Sequence, residues 1–324
     1  MTRAGRLLLA LVALVALAAP WLAPNPPDRS FADFLYAPPT PVRVFRERPT
    51  PPFIYPQRLM NRLERRFEED MLHPVRLQWL TAGRLVSVPE GDGSPLLLLG
   101  ADGFGRDTFS RLLYGARASR ALAVSATALA LLLGALAGGI AGYTGGVVDE
   151  VLSRTTDFVL VLPAVYVALA LRAVMPLILP PATVFVLLGS IFALLGWPIV
   201  ARGVRAIVAS ERRREYAVAC RALGAGPWRT LWRHLLPAAR GYLSAQATLL
   251  LPAFILAEAT LSYVGLGFPA TVPTWGTMLQ EASNVSLVAE APWMLAPAAA
   301  IFLVVLGVNL VVQGTGRPPV QLEP

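Results

Sequence analysis

The sequence predicts an all-α protein that crosses a membrane several times. Of its 324 residues, 55% are hydrophobic and only 15% are charged, and the mean hydropathy is +0.57. Several apolar stretches are long enough to span a bilayer, which takes about 20 residues in a helix. In such a chain the net charge of +8 indicates basic cytoplasmic loops and lipid contact, so no nucleic-acid partner is expected.

The first predicted membrane helix covers residues 1–23. Arg3 and Arg6 precede an apolar run that starts at Leu7, which predicts a cytoplasmic N-terminus. The same pattern fits a cleavable signal with a small-residue site at 16–18. The residues alone leave both alternatives open.

Residues 24–98 form a long polar segment that we expect on the outer side of the membrane, as a small capping segment. Its start is rich in proline and predicts an extended tether. Residues 57–72 predict an amphipathic helix, because side chains such as Leu63 and Phe67 share one stripe. Residues 75–79 alternate like a strand, which residues 85–88 should join across Ala82 and Gly83.

Five further membrane helices are predicted, with a short inner turn at residues 145–157. The second is rich in glycine, which permits close helix contact, and the third should bend at Pro163. Six helices put both termini in the cytoplasm, the C-terminal tail being residues 317–324. The five predicted spans are residues 121–143, 158–174, 184–200, 242–264 and 294–312.

Residues 215–237, inside a basic segment at 202–240, interrupt the apolar pattern. They predict two short helices, with Gly224 in a left-handed conformation ending the first and Pro227 starting the second. Pro237 should stop the second helix. Each helix carries an apolar stripe at helical spacing: Tyr216, Ala219, Cys220 and Leu223 on the first, and Trp228, Leu231, Trp232 and Leu235 on the second. A stiff, half-apolar projection of this kind suits docking into another protein.

The 215–237 segment resembles the "EAA" loop of permease subunits of binding-protein-dependent ABC importers. That loop has Glu-Ala-Ala, three residues, Gly, nine residues, an aliphatic or His position, any residue, and Leu-Pro. Here residues 218–220, Gly224 and residues 234–237 stand at the matching positions. Val218 replaces the acid and Cys220 the second alanine, while Glu215 keeps one acid nearby.

Two further segments resemble the dipeptide/oligopeptide group of these permeases. Residues 99–120 match the segment before its second membrane helix, apart from Ala101, and residues 262–278 match the segment between its last two helices. In the first, we expect Asp102 and Asp107 to cap and to pair with Arg106 or Arg111 rather than to hold a metal. Phe109, Leu112 and Leu113 would let that segment lie on the membrane surface.

The resemblance implies the six-helix type I importer permease fold, with a core at 99–316 and a retained first helix. It implies a C-type permease of the bacterial inner membrane. Expected partners are a second, B-type permease, two ATPase subunits, an external solute-binding protein, lipid, and a di- or oligopeptide substrate; nickel chelates, glutathione and glycosides are alternatives. The residues expected to couple to the ATPase are Glu215, Ala219, Cys220, Arg221, Gly224, Arg229, His234 and Pro237.

No catalytic or cofactor site is predicted in this chain. It contains no Lys, which a Walker A phosphate loop requires, so ATP and Mg²⁺ are expected on the partner ATPases. Cys220 is the lone cysteine, and no metal-ligand cluster is visible around His73 or His234. A membrane-embedded enzyme would need paired acids or histidines near a span end, and an ATP-independent channel or carrier would leave the 215–237 segment without a partner.

Glu258 is the acid placed inside a predicted span, in an Ala-Glu-Ala sequence that peptide permeases often carry. A carboxylate at that depth is costly and faces a partner or a cavity. Two roles remain open from the sequence: a pathway or gate residue, and a structural hydrogen bond to a neighbouring helix.

Overall fold

A computed structural model describes residues 2–45, 49–62, 64–81, 83–89, 94–174, 176, 179–284 and 289–315. The chain divides into two compact units. One comprises the described residues up to Ser119 together with Ser262–Val311, and the other comprises Arg120–Leu261 with the remainder of the described chain. Helix α3 (Thr108–Thr144) begins in the first unit and continues into the second.

Long apolar helices dominate the described residues. Four helical runs are long and apolar enough to cross a membrane, namely Thr108–Thr144, Pro181–Glu211, Pro227–Tyr263 and Pro292–Val312. A further pair, α4 (Gly146–Val161) and α5 (Ala164–Val174), passes the same test only when taken together. The predicted mostly helical membrane fold is confirmed, and these four spans and the bent pair stand where the sequence predicts the five spans that follow the first helix.

Helices α4 and α5 are bent by 88° at Pro163, as the sequence predicts. The predicted short turn at residues 145–157 is wrong, because that stretch is helical from Gly146 onwards. The connection is Gly145 alone, and both it and Gly146, the first residue of α4, have φ angles (67° and 60°) that favour glycine. Two glycines are therefore enough to reverse the chain after α3.

Helix α3 packs closely on α6 (Pro181–Glu211) through glycines four residues apart. A Cβ atom at Gly134 would lie 2.8 Å from the carbonyl oxygen of Trp197, and one at Gly142 would lie 2.6 Å from that of Arg205. A Cβ at Gly138, between them, would meet the carbonyl of Ala201. The predicted close contact through small residues is confirmed, and it brings the backbones of α3 and α6 together.

The basic end of α6 is tied to α3 and α4. Arg205 Nη2 donates to Asp149 Oδ2 over 2.7 Å, and Arg202 pairs with Asp157. The guanidinium of Arg212, just after α6, donates to the carbonyl of Tyr143 at the end of α3. The predicted basic loop from residue 202 is thus helical as far as Glu211, and its first arginines fix the helices beneath the 215–237 segment.

In the first unit, α1 (Thr2–Leu17) and α2 (Ala19–Leu22) precede a set of short strands. The strands form a three-stranded sheet in the order β1-β2-β5 and two hairpins, β3-β4 and β6-β7. Their bounds are Arg43–Phe45 (β1), Pro49–Ile54 (β2), Gln57–Asn61 (β3), Arg66–Glu69 (β4), Val75–Arg76 (β5), Gln78–Thr81 (β6) and Arg84–Ser87 (β7).

The predicted amphipathic helix at residues 57–72 is wrong, because β3 and β4 form an antiparallel hairpin there. Leu59 pairs with Phe67, and Arg43 on β1 reaches Glu69 on β4 with an ion pair of 2.7 Å. These long-range contacts outweigh a helical spacing that spans only a few turns. The predicted strand pairing across residues 82–83 is confirmed for residues 78–81 with 84–87, but Val75 and Arg76 pair with β2 instead; Ala82 lies outside the described residues.

Four charged side chains, almost completely buried, join residues 102–111 to the short helix α10 (Trp275–Glu281). Arg106 binds Asp102 and Glu281, each over 2.8 Å, and Arg111 binds Glu281 over 2.9 Å and Asp102 over 3.3 Å. The predicted pairing of Asp102 is confirmed. We call these four residues the buried charge cluster.

The start of α3 is buried, not laid on a membrane surface as predicted. Asp107 caps the helix, since its carboxylate accepts the amide N–H of Phe109 over 3.0 Å. Leu113 is buried against Ala19 and Ala23 at the end of the first helices. Leu113 and the partly buried Phe109, which favoured a surface helix, instead fill a core contact.

Candidate functional site

Helix α7 (Glu215–Ala222) ends in a Schellman motif. The amide of Gly224 donates to the carbonyl of Arg221, and that of Ala225 donates to the carbonyl of Cys220, both over 3.0 Å. Gly224 has a φ of 82°, which confirms the predicted left-handed glycine. A Cβ at Gly224 would meet open space, so its backbone conformation is what requires glycine within this chain.

Helix α8 (Pro227–Thr230) begins at Pro227, as predicted, with Gly226 as its N-cap residue. The predicted stop at Pro237 is wrong. A π-helical turn (Leu231–Leu235) and a 3₁₀ turn (Leu236–Ala239) carry the helical run into α9 (Arg240–Tyr263). The widened π turn accommodates the missing N–H of Pro237 without a break.

The inner face of the 215–237 segment rests on α6. Ala217, Leu231 and Leu235 are buried in one apolar cluster with Val204 and Val208. This anchoring fixes the two short helices to a membrane helix through tightly packed side chains. Leu231 and Leu235, predicted to lie on the docking stripe, belong instead to this internal contact.

The outer face carries large apolar side chains that are exposed. Leu223 is 87% exposed, Trp228 is 61% exposed and Trp232 is 41% exposed. The two tryptophans contact each other edge to face, with ring centroids 5.4 Å apart. An exposed aromatic cluster at the tip of a rigid projection is characteristic of a protein-binding surface. We call Tyr216, Leu223, Trp228 and Trp232 the docking face.

Most of the predicted coupling residues lie around this face. Glu215, Ala219, Gly224 and Arg229 are exposed, whereas the other predicted side chains except Arg221 are partly covered by the chain itself: Cys220, His234 and Pro237. Sequence analysis did not predict that only the two tryptophans of the second apolar stripe, four residues apart, would be exposed. In the sequence an arginine follows each tryptophan, Arg229 and Arg233, and this pattern indicates the solvent-facing side of the helix.

Arg221 is exposed but already hydrogen-bonded within the chain. Its Nε donates to the carbonyl of Ala217 over 3.2 Å, and its Nη2 donates to the carbonyl of Arg212 over 3.1 Å. The guanidinium thus ties α7 to the end of α6. Both hydrogen bonds are internal to the chain, and the coupling of Arg221 to an ATPase subunit stays a prediction.

Tyr216 connects α7 to the same point. Its hydroxyl donates to Glu211 Oε2 over 2.7 Å, and Glu211 also pairs with Arg214 over 3.0 Å. Partial burial and the adjacent carboxylate raise the pKa of Tyr216 to about 12. The phenol is therefore protonated at neutral pH and holds the angle at which α7 leaves α6.

Glu258 is fully buried on α9, in the second unit. Its neighbours Ala257, Thr260 and Leu261 line a small apolar cavity of about 80 Å³ with the stacked rings of Phe192 and Phe254. The described residues contain no group of three or more His, Cys, Asp or Glu side chains placed to hold a metal ion.

Comparison with known proteins matches residues 130–315, more than half of the chain, to the family of binding-protein-dependent transport system inner membrane components. The chain is 32% identical over 311 residues to the di/tripeptide transport system permease protein of Pseudomonas aeruginosa, covering 96% of this chain and 84% of that protein. It is 38% identical over 216 residues to the dipeptide transport system permease protein of Alkalihalophilus pseudofirmus, covering 66% and 68%.

The oligopeptide transport system permease protein of Bacillus subtilis is 37% identical to it over 216 residues, covering 66% of this chain and 68% of that protein. The matched family includes α6, the 215–237 segment and the last membrane helix, so the resemblance seen in the sequence is confirmed. The chain belongs to the family of binding-protein-dependent transport system inner membrane components.

Proposed function

We propose that this chain is the permease subunit of an ATP-driven importer of di- or oligopeptides. Three relatives that carry peptide-transport names support the substrate class. The observation that carries the mechanism is the docking face, whose exposed leucine and tryptophans stand on a segment packed rigidly against α6. The chain then works beside a second permease, two ATPase subunits and an external solute-binding protein.

Energy enters through the docking face. ATP and Mg²⁺ bind to the two ATPase subunits and not to this chain. When those subunits close around ATP, the clefts on their surfaces that hold Leu223 and Trp228 move. Because Leu231 and Leu235 pack on α6, this motion tilts α6 and the long helical run after Pro227. The translocation pathway then opens to one side of the membrane at a time. Arg229 and Glu215 at the edge of the face set the orientation of docking more than its strength.

The topology we propose has a retained first helix, both termini in the cytoplasm and residues 24–98 outside. Packing supports retention, because α1 lies against α11 (Ala296–Thr315) through small residues. A Cβ at Gly5 would lie 2.6 Å from the carbonyl oxygen of Gly307. In this topology the protein crosses the inner membrane six times: once with α1, once with α4 and α5 together, and four times with the long helical runs.

We expect Gly5→Ala to loosen the contact between α1 and α11, because the added methyl has no space beside a backbone carbonyl. Thermal stability of the detergent-solubilised chain should fall. Gly241→Ala is the matched control, since a Cβ there meets open space and alanine favours the helix by about 0.5–1 kcal/mol. Equal stability of the two variants, with loss of an N-terminal tag from the membrane form, would mean that α1 is a cleaved signal.

We propose that Glu258 supports the helix packing and does not line the pathway. Glu258→Gln should keep both stability and transport, because the amide preserves hydrogen bonding, whereas Glu258→Leu should cost about 1–3 kcal/mol by leaving a buried partner unsatisfied. Thermal unfolding and uptake are measured on both variants. A Gln variant of unchanged stability that transports much more slowly would instead identify a pathway or gate residue.

The function is tested by uptake into proteoliposomes that contain the complete complex. We expect ATP-dependent accumulation of a labelled dipeptide, and competition by unlabelled dipeptides and short peptides but not by a nickel chelate, glutathione or a glycoside. Competition by one of those three, with none from peptides, would overturn the substrate class. Uptake that proceeds without ATP would overturn the importer and indicate a carrier or channel.

A further inference from the structure

The hairpin β6-β7 stands beside the outer end of the first helix. Strand β7 packs against α2, and Arg84 Nη1 donates to the carbonyl of Pro24 over 2.9 Å. The hairpin is therefore held at the point where the chain leaves α1 and α2. Both elements lie in the same unit.

The first helix presents a continuous apolar stripe to its surroundings. Leu7, Leu11, Leu14, Leu17 and Trp21 are each more than half exposed and recur at helical spacing. On the other side, Gly5 packs against Gly307 of an apolar helix long enough to cross a membrane. An exposed apolar stripe on such a helix pair faces lipid.

Trp21 marks the end of that stripe. The apolar run from Leu7 to Leu22 rises roughly 24 Å as a helix, most of the hydrocarbon thickness of about 30 Å, so Trp21 at its outer end is placed at the level of the headgroups. Tryptophan is enriched at this level, where its ring contacts acyl chains and its N–H stays hydrated. The neighbouring hairpin consequently sits at the same depth.

The hairpin exposes apolar side chains at this depth. Trp79 is 53% exposed, Leu80 is 79% exposed and Leu85 is 40% exposed. Leu80 also has a φ of 55°, which is a strained backbone conformation for leucine. Such a conformation persists only where surrounding contacts stabilise it. Arg84, partly buried, keeps its charged end at the backbone of Pro24.

We infer that the hairpin β6-β7 is an interfacial membrane anchor that inserts Trp79 and Leu80 into the headgroup region of the leaflet reached by α2. The anchor clamps residues 24–98 to the bilayer next to the first helix. It extends the proposed function, on which it rests for the membrane location of α1. The partner is lipid, because the exposed residues continue the lipid-facing stripe through Trp21.

The test is the depth of a nitroxide label on the full-length chain in phosphatidylcholine nanodiscs, in a Cys220→Ala background. Leu80→Cys and Leu85→Cys are labelled on the hairpin. Leu72→Cys is the matched control, because Leu72 is 83% exposed in the same outer segment but follows β4. Leu11→Cys on α1 reports whether the first helix itself lies in the bilayer.

We expect the labels at 80 and 85 to be severalfold more accessible to oxygen than to a water-soluble nickel chelate, and the label at 72 to show the reverse. Hairpin labels that match the label at 72, with the label at 11 deep in the bilayer, would overturn the anchor. Hairpin labels shielded from both reagents only when a solute-binding protein is added would overturn it in favour of a protein contact. A water-exposed label at 11 would overturn both the anchor and the proposed membrane location of α1, whereas a failure of peptide uptake alone leaves the depth result unchanged.

Discussion

Leu223→Asp is expected to abolish peptide stimulation of ATP hydrolysis while leaving the chain folded. Leu223 is 87% exposed, so the chain itself loses almost no contact. In the docked complex the carboxylate would sit in an apolar cleft without a partner. A central apolar contact of this kind contributes about 2 kcal/mol or more, roughly thirtyfold in affinity.

The measurement compares ATP hydrolysis with and without peptide in the reconstituted complex, together with pull-down of the ATPase subunits. Leu72→Asp is the matched control, because it adds the same charge to a leucine that is 83% exposed in the outer segment. Unchanged stimulation and assembly in Leu223→Asp would exclude the docking face as the coupling surface. Equal losses in both variants would indicate a general effect of the added charge.

Arg111→Met is expected to destabilise the chain by about 3–5 kcal/mol, the usual cost of removing one partner from a buried ion pair. The Arg111 side chain is 1% exposed and serves both Glu281 and Asp102. Without it, Arg106 alone faces two carboxylates in the buried charge cluster. Thermal unfolding in detergent measures the loss of stability. We also expect the contact between residues 102–111 and α10 to be weakened.

The control for this prediction is Arg62→Met. Arg62 and Asp33 form an ion pair of 2.6 Å, but their side chains are 73% and 66% exposed, so its loss should cost about 1 kcal/mol or less. Similar destabilisation in both variants would mean that the cluster contributes no more than a surface pair.

The pH dependence of Arg111→Met follows from Glu281. Burial already raises the pKa of Glu281, and loss of Arg111 raises it further. A carboxyl group whose pKa is higher in the folded than in the unfolded state makes stability fall as pH rises through that range. The deficit of Arg111→Met relative to the wild type should therefore shrink on moving from pH 7 towards pH 5.

Much of the membrane part follows from local sequence. Long apolar runs define the spans because backbone N–H and C=O groups in a bilayer must be hydrogen-bonded within the segment, as they are in a helix. Gly224 and Pro227 define their turn because each fixes a backbone angle that few residues adopt. The bend at Pro163 was predictable for the same reason.

Other features depend on contacts that local patterns do not contain. Leu59 and Phe67 fit a helical stripe, yet they pair across a hairpin that Arg43 and Glu69 help to hold. Pro237 fits a helix stop, yet the helical run continues through it because the preceding π turn accommodates its missing N–H. Leu231 and Trp232 are equally apolar neighbours, and the packing surface of α6 decides which of them is buried.

The coupling residues and the domain boundaries remain predictions, and the most direct test is photo-crosslinking from the docking face. A benzophenone amino acid is placed at Leu223 in the assembled, ATPase-active complex, and at Leu72 as control. The coupling role of the docking face predicts an adduct between residue 223 and an ATP-hydrolysing subunit, with none from residue 72. An active complex in which residue 223 forms adducts only with lipid or with the second permease would contradict it.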